Sequence, residues 1–177
     1  MNIRYSFEEQ PLGTAGPLSL ISGLDSTFLV ANGDVLTTLN LEELLAAHHR
    51  SGAAATIATH FRRVNIDLGV IQYERQPSNL PSSDPAPSFP ITGYIEKPNY
   101  DFYVSMGIYV FEPRVLKYIP YNQYLDFPDL VLRLIHHGEK VMGFPFEGYW
   151  KDLGRPDDYA QAIAEFELLR SEILGEP

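Results

Sequence analysis

Ile3, Tyr5 and Phe7 alternate with Arg4, Ser6 and Glu8, the period of two that predicts a half-buried strand. The Gly and Pro residues of "QPLGTAGPLSL" then break regular structure before a short helix predicted over Leu18 to Leu24. A second apolar run, "FLVANGDVL" (28–36), reads as a strand ending at Asn32. "LNLEELLAAHHRSG" has the spacing of an amphipathic helix, with Asn40 as its N-cap, Glu43 at the capping-box position and Gly52 to end it. "AAATIATH" and "LGVIQY" follow as strands. "ITGYIEKP" and "FYVSMGIYVFEP" resume strand character after a Pro/Ser-rich segment at 75–90, which has no apolar face to bury and reads as a surface excursion. A short helix from Pro113 to Ile119, a longer one capped by Asp126, and the strand "KVMGFPF" come next. The last helix opens with Pro156 and the acids Asp157 and Asp158, which favour its dipole, and sets Tyr159, Ile163 and Phe166 on one packing face. Strands alternating with helices predict an α/β fold with right-handed crossovers, built as one domain over 1–177.

Composition narrows the classes of function. The net charge is −10, which argues against a nucleic-acid backbone as partner, since such binders present a basic face. A phosphorylated small ligand would need a divalent cation and a few placed cationic or backbone N–H groups. No apolar run approaches the roughly 20 residues that span a bilayer, so no membrane is expected. The absence of cysteine fits a cytoplasmic protein.

Two carboxylates end apolar strands beside a glycine: Asp34 in "NGDV" and Asp152 in "YWKDLG". Ligands of open α/β sheets bind outside the C-terminal strand ends, so both acids are candidates for a metal-bound phosphate site. Taken alone, each reads more readily as a turn-forming or capping acid. Lys97 in "IEKP" can offer an ammonium to a phosphate and Glu96 can accept from sugar hydroxyls, or the two form a solvated pair before a turn. Gly13 and Gly16 in "PLGTAGPL" allow close approach of backbone to a ligand, or simply a turn. His48-His49 and His136-His137 stand near helix C-termini with no acid at ligand spacing, and Tyr118, Tyr121 and Tyr124 lack interleaved basic residues; neither set is read as a site.

Six segments in order, "EEQPLGTAGPL" (8–18), "VANGDVL" (30–36), "LGVIQY" (68–73), "YIEKP" (94–98), "VSMGIYVFEP" (104–113) and "GYWKDLGRPDDY" (148–159), carry a resemblance. The sequence resembles the sugar nucleotidyltransferases, or NDP-sugar pyrophosphorylases, and looks closest to their mannose-1-phosphate guanylyltransferase-like branch. That resemblance implies a Rossmann-like, mixed and mostly parallel sheet flanked by helices. The implied substrates are an NTP and a sugar 1-phosphate, with Mg²⁺ as cofactor; a homo-oligomer is left open. It further implies that Asp34 and Asp152 hold the Mg²⁺, that Gly13, Thr14, Ala15 and Gly16 face base and ribose, and that Gly69 lies near the sugar. Glu96 and Lys97 would bind the sugar 1-phosphate, with Lys97 fixing the nucleophile, and Ser105 and Gly107 would line the same pocket.

Members of that family begin with a strand and a glycine-rich loop, G-x-G-T-R-x-x-P-x-T in outline, that wraps the triphosphate. Met1 falls past the matching position. The expectation is therefore a fold without its N-terminal strand and triphosphate cradle, nearly inactive alone. The alternative is a non-catalytic subunit that binds a sugar nucleotide or regulates a partner.

Overall fold

A computed structural model describes residues 2–74, 88–154 and 156–174. Most of the expected excursion, 75–87, and the side chains of Asp157 and Asp158 lie outside the described residues. In chain order the elements are a 3-10 turn Gly16–Leu20, β1 Phe28–Ala31, β2 Val35–Thr37, α1 Leu41–Ser51, β3 Ala55–Asn65, β4 Val70–Tyr73 and β5 Ile91–Ile95. They continue with β6 Asn99–Phe111, a second 3-10 turn Pro113–Tyr118, α2 Phe127–His136, β7 Val141–Phe146, β8 Trp150–Asp152 and α3 Pro156–Leu174. Among the described residues no helix is long and apolar enough to cross a membrane.

The chain divides into two compact units, Met1–His60 with Val104–Pro177, and Phe61–Tyr103. The first is built on a mixed sheet of order β1-β6-β3-β7. β1 runs antiparallel to β6, with Phe28 opposite Phe111, and β3 runs parallel to β7, with Ala55 opposite Val141. Alternation along β6 sorts the core into two. Tyr109 and Phe111 join Leu130 and Leu134 of α2, while Ile108 and Val110 join Leu44 of α1. Successive strand residues point to opposite faces, so the sheet is covered by a helix on each side, as expected of this α/β class. Phe111, Leu44, Leu130 and Leu134 are fully buried, each a burial worth about 1.5–3 kcal/mol.

The second unit holds the antiparallel pair β4-β5, with Val70 opposite Ile95 and Ile71 opposite Tyr94. It also contains a bidentate Arg63–Asp101 pair at 2.7 and 2.8 Å and an edge-on contact of Phe61 with Tyr103. None of its described residues is buried.

Local signals account for α1 in full. The Asn40 side chain accepts from the N–H groups of Glu42 and Glu43, and Gly52 ends the helix in the left-handed conformation at φ 65°. Three expectations are corrected. Residues 3–7 form no strand: the segment is irregular, and Ile3, Tyr5 and Phe7 are exposed. Alternation supplies a face to bury, but a strand also needs a neighbour's backbone to bond, and no described strand pairs with this one. Nor is α3 simply a packing helix. Its one buried residue among those described is Ala162, while Tyr159 and Ile163 stay 57% and 55% exposed. These two border a groove of about 270 Å³ shared with Leu36, Leu153 and Phe166. The helix between Leu18 and Leu24 contracts to the 3-10 turn Gly16–Leu20, with Pro17 in its first turn.

Replacing Asn40 by Ala leaves two N–H groups of α1 without their acceptor, and should lower stability by about 1 kcal/mol in chemical denaturation.

Candidate active site

β1 leads into Asn32-Gly33-Asp34, and β2 then departs from the sheet to form a separate antiparallel ladder with β8. In that ladder Val35 faces Asp152, Leu36 faces Lys151 and Thr37 faces Trp150. It is extended by the Leu153 N–H, which donates to the Asp34 carbonyl at 2.8 Å. Asp34 and Asp152, widely separated in sequence, thus stand on neighbouring backbone rungs, and both residues are exposed. Asp152 Oδ1 also accepts the Gly154 N–H at 2.8 Å, a turn that orients the carboxylate.

Ser105 and Gly107 belong to the same cluster. Asn32 N–H donates to the Gly107 carbonyl at 2.9 Å, and Trp150 Nε1–H donates to the Met106 carbonyl at 3.0 Å. Ser105 Oγ accepts from the Gly107 N–H and donates to the Tyr109 hydroxyl. Gly107 has φ +73°, and a Cβ there would meet the Asn32 amide at 2.7 Å. Only glycine takes this backbone conformation without strain while admitting the Asn32 side chain.

The Gly13–Gly16 loop is held differently. Ala15 and Gly16 N–H groups both donate to the Leu125 carbonyl, at 2.8 and 2.9 Å, and the Thr14 N–H donates to Asp126 Oδ1 at 2.9 Å. Ala15 and Gly16 are buried; Thr14 is exposed. Asp126, expected to cap α2, makes no capping bond with its side chain. Instead Thr14 Oγ1 accepts the Phe127 N–H at 2.9 Å, so loop and helix exchange partners. The Asp126 carboxyl is held below its usual range by hydrogen bonds from the Tyr124 hydroxyl and from Thr14.

In the 61–103 unit, Glu96 and Lys97 follow β5 directly and are exposed. Lys97 adopts φ +43°, a left-handed backbone for a residue with a side chain, and its Nζ lies 3.1 Å from Asp67 Oδ1. Such a conformation costs roughly 1–2 kcal/mol and persists only where the surroundings demand it. Gly69 admits the Tyr94 ring, whose hydroxyl would overlap any Cβ at that position.

Among the described residues no group of three or more His, Asp or Glu side chains could enclose a metal. Asp34 and Asp152 each offer the hard oxygen donors that Mg²⁺ takes, an ion that binds through one or two carboxylates and keeps water or phosphate in its other positions.

The nucleotidyl transferase family profile matches residues 1–168. The chain belongs to the nucleotidyl transferase family. It is 34% identical over 170 residues to the mannose-1-phosphate guanyltransferase of Candida albicans, covering 90% of this chain and 42% of that protein. The corresponding protein of Schizosaccharomyces pombe is 33% identical at the same coverage. This nucleotidyl transferase therefore spans less than half the length of the curated relatives it matches. In fold it is similar to HddC from Yersinia pseudotuberculosis, with TM-score 0.58 and 21% identity, over 90% of this chain and 64% of that one.

Several contacts of this family member were invisible in its sequence. Glu165 of α3 accepts from Tyr149 Oη at 2.6 Å and Lys151 Nζ at 2.9 Å. His48, 1% exposed, links Thr56 at 2.8 Å to Glu112 at 3.1 Å, and Glu112 also accepts from Thr27. These partners come from distant segments, so no local spacing announces them. The Thr27 hydroxyl, then the His48 ring, hold the Glu112 carboxyl below its usual range despite its partial burial.

Because the Glu112 pKa is depressed by folding, the stability it adds is present above the unfolded value of about 4.3 and is lost as pH falls through the lower folded value. Thermal unfolding followed from pH 6 to pH 3 should therefore fall less steeply in Glu112→Gln than in the parent. Separately, Gly107→Ala should cost about 1–3 kcal/mol, read by denaturant titration.

Proposed function

We propose that this protein transfers a nucleoside monophosphate from an NTP to a sugar 1-phosphate, giving an NDP-sugar and pyrophosphate. The observation that supports the reading is the β2-β8 ladder, in which the backbones of Asp34 and Asp152 stand on neighbouring rungs. The first probes are GTP, mannose 1-phosphate and GDP-mannose, after the relatives named as mannose-1-phosphate guanyltransferases.

In this reading an oxygen of the sugar 1-phosphate forms a bond to the α-phosphorus, and the bond from that phosphorus to the bridging oxygen of pyrophosphate breaks. The attacking oxygen is already ionised near neutral pH, so neither Asp34 nor Asp152 removes a proton. Their role is to hold Mg²⁺, which when bound neutralises charge on the phosphate oxygens. Lys97 supplies a cation for the sugar 1-phosphate, exchanging Asp67 for the phosphate. Glu96, beside it, accepts from sugar hydroxyls, and Gly69, which admits the Tyr94 ring, lies near the sugar. Ser105 and Gly107 shape the wall next to the two acids. Of the Gly13–Gly16 loop, Thr14 is the exposed member that would meet base and ribose, while the buried Ala15 and Gly16 hold the loop rigid beneath it. For a chain of net charge −10, placed cations of this kind set the affinity for a polyanion.

Calorimetry with GDP-mannose should show binding that Mg²⁺ strengthens. Asp34→Asn or Asp152→Asn should remove the Mg²⁺ dependence, and Lys97→Gly should weaken binding by about tenfold or more, the range expected when a charge-assisted contact of about 1.5–3 kcal/mol is lost. Glycine suits the left-handed backbone at position 97, so stability should hold while the ammonium is gone. Binding that is indifferent to Mg²⁺ and to all three substitutions would overturn the reading.

A further inference from the structure

The β2-β8 ladder has three rungs, Val35 to Asp152, Leu36 to Lys151 and Thr37 to Trp150. So short a two-stranded ribbon is marginal by itself, and a slip of one residue would turn Asp152 to the opposite face. Its beginning is tied at Tyr149, whose carbonyl accepts from Thr37 Oγ1 and the Thr38 N–H and whose N–H donates to Thr38 Oγ1. The end that carries Asp152 is held by the single Leu153 N–H bond to the Asp34 carbonyl and by whatever grips the residues before it.

Tyr149 and Lys151, two residues apart, turn to one face and converge on Glu165, while Trp150 turns to the other and reaches the Met106 carbonyl. Glu165 is oriented in its turn by Gln161, one helical turn earlier, at 2.6 Å. The Lys151 and Glu165 side chains are 14% and 29% exposed, so their attraction is only partly screened by solvent. Burial, then the Glu165 carboxylate, push the Tyr149 hydroxyl up to about 12, so it remains a donor to Glu165 throughout the neutral range.

We propose that Glu165 is a positioning residue for the Asp34–Asp152 pair: by gripping Tyr149 and Lys151 it locks the register of β8 that places Asp152 beside Asp34. The proposal rests on the reading of those two acids as the Mg²⁺ site. Glu165 itself touches neither the cation nor the substrate in this scheme. It acts as outer partners of metal ligands do, by restricting where a ligand can stand, and loss of such a partner typically weakens metal affinity by about 10–100-fold.

Two measurements on the protein test this. In calorimetry with GDP-mannose, Glu165→Ala should raise the Mg²⁺ concentration for half-maximal binding by about tenfold or more. Binding at saturating Mg²⁺ should return to within about twofold of the parent, a split that general unfolding would not produce. Glu165→Gln, which keeps an acceptor for Tyr149 but loses the charge facing Lys151, should lie between. In the metal-free protein the Leu153 amide, which donates to Asp34, should exchange with solvent about tenfold faster in Glu165→Ala while the Leu44 amide of α1 is unchanged. If Glu165→Ala fails to fold, Tyr149→Phe with Lys151→Met removes the same grip from the β8 side. A Mg²⁺ requirement unchanged by these variants but abolished by Asp152→Asn would overturn the positioning role and leave the metal site standing. A parent protein with no Mg²⁺ dependence at all would overturn the metal site and the positioning role with it.

Discussion

The bond from the Leu153 N–H to the Asp34 carbonyl closes the longest loop on which the site depends. Joining two points so far apart in a chain carries an entropic cost that a single hydrogen bond, worth about 1 kcal/mol net, does not offset. The closure holds because it is shared. β1 is anchored on β6 through Phe28 to Ala31, and Asn32 continues that anchoring by donating to Gly107. Gly107 turns its backbone to a positive φ, and the preceding Met106 carbonyl accepts from Trp150. Trp150 opens β8, so the strand bearing Asp152 is tied to the sheet through the residues that flank Asp34. A core strand, its loop and a distant peripheral strand are thus one mechanical unit.

Much of this was legible where the governing interactions are local. Asn40 and Gly52 bound α1 because capping is decided within three or four residues. The acids at the ends of "FLVANGD" and "YWKD" stood out because a strand terminus followed by glycine is a local pattern. What the residues alone left open was convergence, since register between β2 and β8 is set by tertiary packing. The errors have the same origin. Ile3, Tyr5 and Phe7 have a strand's alternation, but pairing depends on a neighbour that alternation cannot supply. Asp126 has the right position to cap α2, yet Tyr124 and Thr14 compete for its carboxylate and Thr14 takes over the cap. His48 read as a helix-end histidine because its partners lie elsewhere in the chain, Thr56 on β3 and Glu112 just after β6.

The 61–103 unit follows a different logic. With no buried residue among those described, its order rests on ladder bonds, on the Arg63–Asp101 pair and on aromatic contacts such as Phe61 with Tyr103. Exposed ion pairs contribute little, commonly under about 1 kcal/mol, so this unit has low intrinsic stability and can adjust cheaply. Against that background the left-handed backbone of Lys97 is informative. It lies in the three-residue connection between β5 and β6, where a left-handed residue lets the chain reverse, and it sets the direction of the ammonium.

The Gly13–Gly16 loop sharpens the division of labour. A glycine-rich loop can bind phosphate through successive N–H groups, but each N–H is a single donor. Those of Thr14, Ala15 and Gly16 are already directed at Asp126 and Leu125, and Gly13, at φ +75°, packs so closely on Leu125 that a Cβ would meet its carbonyl at 2.7 Å. The glycines therefore serve approach between two protein segments, joining the loop to the start of α2. Binding a phosphate there would require breaking bonds that hold the loop whose Thr14 hydroxyl caps α2. In an acidic chain that leaves charge neutralisation to side chains and a recruited cation, which is why the register of one short strand, carrying Asp152, bears so heavily on the proposed chemistry.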